Sequence, residues 1–293
     1  MNEQTQRRLM ATAPRRRGAP LGQWALHAVI VLLLLLSLVP TYLMIELSFK
    51  NALQYRWERW LISFPLRLNN YPSAWGIVGG FMINTVVVAL IGLLGVLVLS
   101  LIGGYVFARM SFPFKDFLYY AIIALLMIPS VLTFIPSYML YNSFGLLDTR
   151  AVLIIPNLAG GQVFGIFLMR ALIAGIPEEL YEAAKVDGAG VGVLIRRVTL
   201  PLCLPGLASL SVLNFLGTWN SFLWPLVTIR NLDLQVISVG LYKLSRTIQG
   251  GIEYGVWGPM YAGYVLASLP LVFLFLLLGR FYVEGLVDSG IKM

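Results

Sequence analysis

The side chains that could do chemistry are few. The 293 residues contain one histidine, His27, and one cysteine, Cys203. A disulfide needs two sulfurs, and a structural zinc site needs four ligands, mostly Cys or His, so this chain builds neither alone. A phosphate loop needs a glycine-rich turn ending in Gly-Lys-Ser or Gly-Lys-Thr, whose backbone N–H groups cradle phosphates. The five lysines, Lys50, Lys115, Lys185, Lys243 and Lys292, neither follow a glycine nor precede Ser or Thr, so ATP is not held here in that way. The run Gly188 to Gly192 alternates glycines, yet position 193 is valine and no strand precedes it. It reads as a helix end and turn. Asp148, Asp233 and Glu253 are scattered without motif spacing, which argues against a membrane enzyme acting on lipid-linked sugars.

One segment, Ile176–Pro201, has spacing with consequences. Pro177 suits a first helical position, where its missing N–H costs nothing. Glu178, Glu179 and Glu182 follow in the first two turns, favoured by the helix dipole, and Gly188 can close the helix in a left-handed conformation. Leu180, Ala183, Ala184 and Asp187 then share one side of a helix barely three turns long, which is marginal in water without tertiary support. A second short amphipathic helix carries Val191, Leu194, Ile195 and Val198 at i, i+3, i+4, i+7, with Arg196 and Arg197 pointing away. Pro201 and Pro205 mark re-entry into apolar sequence. The small alanines permit close approach by a partner.

The elements that must position this loop are set by composition. Hydrophobic residues make up 59% of the chain and charged ones 12%, about half the share of a soluble domain. Lipid is therefore the solvent for most of the surface, and the fold class is an all-α integral membrane protein. A spanning helix needs about 20 apolar residues. Six runs qualify: Trp24–Leu47, Asn84–Ala108, Phe117–Leu140, Ala151–Ala174, Leu202–Ile229 and Met260–Phe281. The first is too long for a signal peptide's apolar core and lacks a small-residue cleavage site, so it reads as a retained anchor. The expected organisation is a tail (1–23), a transmembrane domain (24–281) and a second tail (282–293). Lys and Arg number 13 on the side holding both termini and the Ile176–Pro201 loop, against 8 on the other. By the positive-inside rule that side is the cytosol. The net charge of +8 is spread between apolar runs rather than gathered into a stripe with aromatics, so nucleic acid is not expected as a partner. Trp57, Trp60, Tyr71 and Trp75 give Ser48–Ile83 the look of an interfacial element on the outer side.

Glu182-Ala183-Ala184, three residues, Gly188, nine residues, then Val198-x-Leu200-Pro201 resembles the EAA motif of membrane subunits of bacterial ATP-binding-cassette (ABC) importers, with Val198 where Ile is usual. At average residue frequencies such a match arises by chance in roughly one chain in 10⁴. The likeness extends over most of the chain and points to the maltose-type carbohydrate permeases. It is carried by Pro40 and Ser48-Phe49-Lys50, Asn84-Thr85, Ala108-Arg109 with Phe112-Pro113, and Met127-Ile128-Pro129 with Pro136, Asn142 and Gly145-Leu146. Trp219 through Leu226 also fits, with Ser221 where Asp or Glu is commoner, as does Arg280–Lys292, with Ser289 and Ile291 for a more usual Ala and Val.

The resemblance implies a permease subunit in a bacterial or archaeal cytoplasmic membrane. Its partners would be membrane lipid, a second related permease, two ATPase subunits that hold ATP and Mg, an outer solute-binding protein and a carbohydrate; no cofactor belongs to this chain. It also implies that Glu182, Ala183, Ala184, Asp187, Gly188, Leu200 and Pro201 form the coupling surface for the ATPase. Sugar sites pair aromatic faces with amides and hydroxyls, so Asn220, Trp219, Asn214, Tyr138 and Asn142 are the substrate-path candidates. The alternative of an ion-coupled secondary transporter expects buried charge and internal repeats. The chain lacks repeats, and its spans hold almost no charge beyond Glu46.

Overall fold

The computed structural model describes residues 21–249 and 257–290, so most of the 1–23 tail and the last three residues lie outside the described part. Helix α1 (Leu21–Leu47) is followed by a short α2 (Ala52–Trp57) and then by α3 (Asn70–Arg109), 40 residues long. At 1.5 Å per residue α3 extends about 60 Å, twice the hydrocarbon thickness. It begins at Asn70 rather than Asn84, so Tyr71, Pro72 and Trp75 lie in its first turns. The Ser48–Ile83 segment is thus the short α2, near which Trp57 and Trp60 are exposed, followed by the beginning of α3.

The third apolar run is not a straight span. α4 (Lys115–Ala124) passes through one 3-10 turn and Ile128-Pro129 into α5 (Ser130–Ser143), and the two halves are bent by 99°. Pro129 lacks the N–H that would continue the helix and biases Ile128 toward extended backbone; Ile128 has ψ 116°. α6 (Ala151–Ala174) is one continuous helix that contains Pro156. After α7 (Glu178–Val186), α8 (Val191–Leu202) turns by 76° into α9 (Leu204–Trp219). The fifth run, expected as one span from Leu202 to Ile229, is therefore α9 alone. A break at Asn220–Phe222 separates it from the short α10 (Leu223–Thr228). α11 (Ile237–Gln249) is amphipathic. α12 begins at Trp257 and continues to Gly290, beyond the expected end at Phe281.

The described residues hold four helices long and apolar enough to cross a membrane, and six spans if each bent pair counts as one. The pairs do connect the two ends. Tyr119 near the start of α4 meets Phe107 and Arg170 at one end, and Tyr141 on α5 meets Trp224 at the other.

The centre is the parallel pair α3 and α6. Their contact uses small residues, as membrane helices must when lipid gives no hydrophobic drive for association. A Cβ added at Gly165 would lie 1.9 Å from Ser100 Oγ, and one at Gly104 would lie 2.4 Å from the Met169 Cβ. Both positions are therefore closed to any side chain without moving backbone. α9 and α12 pack on the α3 side of this pair, burying Val78, Ala89, Leu93, Phe215, Trp219 and Ile237 together. α1, by contrast, packs on α12 and leaves nearly all its apolar side chains exposed.

Candidate functional site

The loop at the Arg109 end takes the form its residues dictate. α7 starts after Pro177, which sits at the N-cap rather than at the first helical position, with φ −54° and ψ 137°. Glu178 and Glu179 occupy the first turn and Lys185 the last, matching the helix dipole at both ends. Gly188 has φ +80°. Its N–H donates to Lys185 O (2.9 Å) and the Ala189 N–H to Ala184 O (2.9 Å), a left-handed closure that disfavours side chains. α8 then runs on through a π-helical stretch, Leu194–Thr199.

What holds this small unit is Tyr181, which is 1% exposed. Its ring lies against Tyr105 of α3, its hydroxyl meets Thr199 Oγ1 at 3.0 Å, and the Arg109 guanidinium stands over its face at 4.3 Å. Leu101, Met169, Ile173, Leu194, Cys203 and Leu207 complete the cluster. The α7–α8 unit is thus fastened to α3, α6 and α9 by one buried aromatic. Sequence reading missed Tyr181; its signal was an aromatic two residues past the paired glutamates Glu178 and Glu179.

The expected coupling residues divide on this frame. Glu182, Ala183, Asp187, Gly188 and Pro201 are exposed. Ala184 and Leu200 are half-buried and pack against the chain's own cluster. The reading that placed Ala184 beside Ala183 on an outward face is corrected accordingly: at 100° per residue, Ala184 lies nearer the Tyr181 side, which faces inward. Glu178, noted only as a helix-dipole residue, forms an ion pair with Arg109 and lies 3.7 Å from Lys185 Nζ.

The substrate-path candidates divide as well. Trp219 is 4% exposed and stacks on Phe215, 5.4 Å between centroids and 16° between planes. It packs in the cluster between α3, α9 and α12. Asn220 caps the end of α9, donating Nδ2–H to Leu216 O at 3.0 Å. On α5, Tyr138 is half-buried and Asn142 exposed.

Asn214 is different. Its Nδ2 donates to Asn157 Oδ1 (2.8 Å), Asn157 Nδ2 donates to Thr218 Oγ1 (2.8 Å), and Thr218 Oγ1 donates to Asn214 O (3.0 Å). These groups line a groove of about 390 Å³ between α6, α9 and α10, together with Leu153, Pro156, Ser221 and Trp224. The buried Asn214 Oδ1 has no hydrogen-bond partner among the described residues. A buried amide oxygen without a donor is costly. Sequence reading found Asn214 and missed Asn157 and Thr218. Asn157, just after Pro156 in an apolar run, was the available signal.

The opposite end is fastened by polar bonds. Asn84 Nδ2 donates to Asp233 O (2.6 Å) and Gln235 O (3.2 Å) while Arg150 Nη2 donates to Asn84 Oδ1 (2.9 Å). The Ile237 N–H donates to Thr85 Oγ1 at 2.8 Å, and Asp148 accepts from the Arg230 and Asn231 N–H groups. Glu46, the charge noted in the first span, is buried and ion-paired with Lys50, whose ammonium also donates to Glu58 O and to Leu61 O (2.8 Å). A buried charge tolerated at a helix end needs such partners. Among the described residues no three His, Cys, Asp or Glu gather as metal ligands.

This arrangement has known counterparts. The family described as binding-protein-dependent transport system inner membrane component matches residues 97–286. The diacetylchitobiose uptake system permease protein NgcG of Streptomyces coelicolor is 30% identical over 266 residues, covering 90% of this chain and 87% of that one. The arabinooligosaccharides transport system permease protein AraQ of Halalkalibacterium halodurans is 27% identical over 284 residues, covering 95% and 99%. Among solved structures, a chain of a bacterial ABC transporter involved in the import of the acidic polysaccharide alginate superposes with a TM-score of 0.80 at 20% identity, over 92% of this chain and all of that one.

Proposed function

The chain belongs to the binding-protein-dependent transport system inner membrane components, and from that premise we propose that its cargo is a short oligosaccharide delivered by a solute-binding protein. It is a multi-pass permease subunit of an ABC importer and not an enzyme; ATP hydrolysis in such importers belongs to separate ATPase subunits. The observation that carries the sugar reading is the likeness, along nine-tenths of the chain, to permeases named for diacetylchitobiose and for arabinooligosaccharides.

In this reading Glu182, Ala183, Asp187 and Gly188 dock into one of two ATPase subunits that bind ATP and Mg. A second related permease completes the path and covers part of the exposed α1. Closure of the ATPases rocks the two permeases as rigid bodies between inward and outward openings. The Asn157–Asn214–Thr218 groove supplies polar amide and hydroxyl groups to the path. Both termini and the α7 loop face the cytosol, in keeping with the 13-to-8 distribution of basic residues.

The test is reconstitution. The assembly purified with its binding protein should take up chito- or arabino-type oligosaccharides into proteoliposomes when ATP is present on the ATPase side, and Asn214→Ala should lower uptake. Uptake of amino acids or metal ions in place of any saccharide would overturn the cargo. For orientation, a cysteine at Trp60 should react with an impermeant thiol reagent in intact cells, and one at Arg196 only after lysis. The reverse pattern would invert the topology. The native Cys203, 1% exposed, should stay silent in both.

A further inference from the structure

Arg109 is the last residue of α3, and its guanidinium is the meeting point of three helices. Nη2 donates to Ile173 O (2.8 Å) and to Ile176 O, Nη1 pairs with Glu178, and the cationic plane covers the Tyr181 ring at 4.3 Å. The side chain is 13% exposed. Ile173 lies in the last turn of α6, where its carbonyl accepts from the Ile176 N–H at 3.2 Å as well as from Arg109. Glu178 opens α7, and between them lie only Gly175, Ile176 and Pro177. The short turn from the spanning helix into the loop helix is therefore held, at both its edges, by one side chain from a third element.

We propose that Arg109 is the positioning residue that sets the angle of α7 against α3 and α6, so that movement imposed on the exposed face of α7 reaches the spanning helices instead of being absorbed in the Gly175–Pro177 turn. The inference rests on the reading of α7 as the ATPase-docking helix. Three features argue for transmission rather than for a charge placed by membrane topology. A topological charge needs only water and either Lys or Arg, whereas this one is mostly buried and engages a carboxylate, two carbonyls and an aromatic face at once. That set matches the planar fork of guanidinium, which ammonium cannot reproduce. The linkage also continues past Arg109: Tyr181 bonds Thr199 on α8, and α8 leads by one bend into α9, which carries Asn214. Finally, α3 and α6 are locked along their length by the glycine contacts at Gly104 and Gly165, so a torque delivered at Arg109 turns a rigid pair that reaches the Asn157 wall of the groove.

The experiment compares wild type with Arg109→Ala, Arg109→Lys and Glu178→Gln in the reconstituted full assembly. It reads sugar taken up per ATP hydrolysed and the stimulation of hydrolysis by the loaded binding protein. A merely stabilising residue would lower the amount of assembly and leave these ratios alone. The expected result is that Arg109→Ala loses about tenfold in stimulation, a normal size for a coupling between sites. Arg109→Lys and Glu178→Gln should fall between it and wild type. Ratios within twofold of wild type in all assembled variants would overturn the proposal.

A second measurement does not depend on transport. In a Cys203→Ser background, spin labels at Val186→Cys on α7 and Ile102→Cys on α3 should give one narrow distance distribution that broadens with Arg109→Ala or Arg109→Lys. An unchanged distribution would overturn the proposal even if wild type moves no sugar. Broadening in an assembly that moves none would uphold Arg109 while removing the carbohydrate reading.

Discussion

The two ends of this permease are fastened by opposite means. At the end away from α7, residues from three separate segments interlock: Asn84 and Thr85 on α3, Asp148 and Arg150 before α6, and the 229–237 stretch. Most of those bonds bind a backbone group to a side chain far away in sequence, so the load is shared and the frame is stiff. At the α7 end the polar links of the loop unit centre on Arg109 and Tyr181, backed by apolar packing of Leu194 and its neighbours, and the opposite face of α7 is exposed. Stiffness at one end and a compact mount centred on Arg109 and Tyr181 at the other are what a lever needs: a fixed frame, and a handle whose angle is transmitted.

That contrast can be broken or sharpened. The largest effect is expected at the outer frame. Asn84→Leu strands two carbonyls and Arg150, and should cost about 3 kcal/mol. It should appear as a lower melting temperature of the detergent-purified assembly, with sugar uptake per ATP unchanged in whatever assembles. Equal loss of that ratio would show that the outer end is part of the lever and not its frame. Next comes Ala183→Trp, which adds bulk to an exposed position and so should leave this chain's own melting temperature intact. It should weaken ATPase docking by about 1–3 kcal/mol, read by co-purification of the ATPase. Ala184→Trp, pressed against the chain's own cluster, should instead destabilise the chain itself. If the two variants behaved alike, the inward placement of Ala184 would be wrong.

Smaller effects sharpen the account of the mount. Tyr181→Phe keeps the ring under Arg109 and loses only the Thr199 bond. It should cost about 1 kcal/mol by thermal melting and leave binding-protein stimulation near wild type, whereas Tyr181→Leu should impair it. Smallest of all, Lys185→Ala removes a partner 3.7 Å from Glu178 on an exposed surface. It should change stability by less than about 0.5 kcal/mol, because Arg109 remains.

The sequence by itself determined what depends on neighbours in the chain. Apolar run length placed the spanning segments, since each must cross a fixed thickness of hydrocarbon. The Glu182-Ala183-Ala184 to Gly188 spacing placed the loop helix and its left-handed closure, because dipole, cap and turn are settled within a few residues. Pro129 and Pro201 were visible as punctuation. What they produced was not, because the bend angles of 99° and 76° depend on the helices packed against each half. Only the tertiary structure decided that Trp219 is a core residue while Asn214 opens into a groove. The two are five positions apart on one helical segment, and helical periodicity alone does not say which neighbour each face meets. Only the fold revealed that Asn157 completes Asn214, 57 residues on, and that Arg109, 69 residues before Glu178, holds the loop. Such pairings join elements distant in the chain, and a single sequence records each partner's chemistry without recording that they meet.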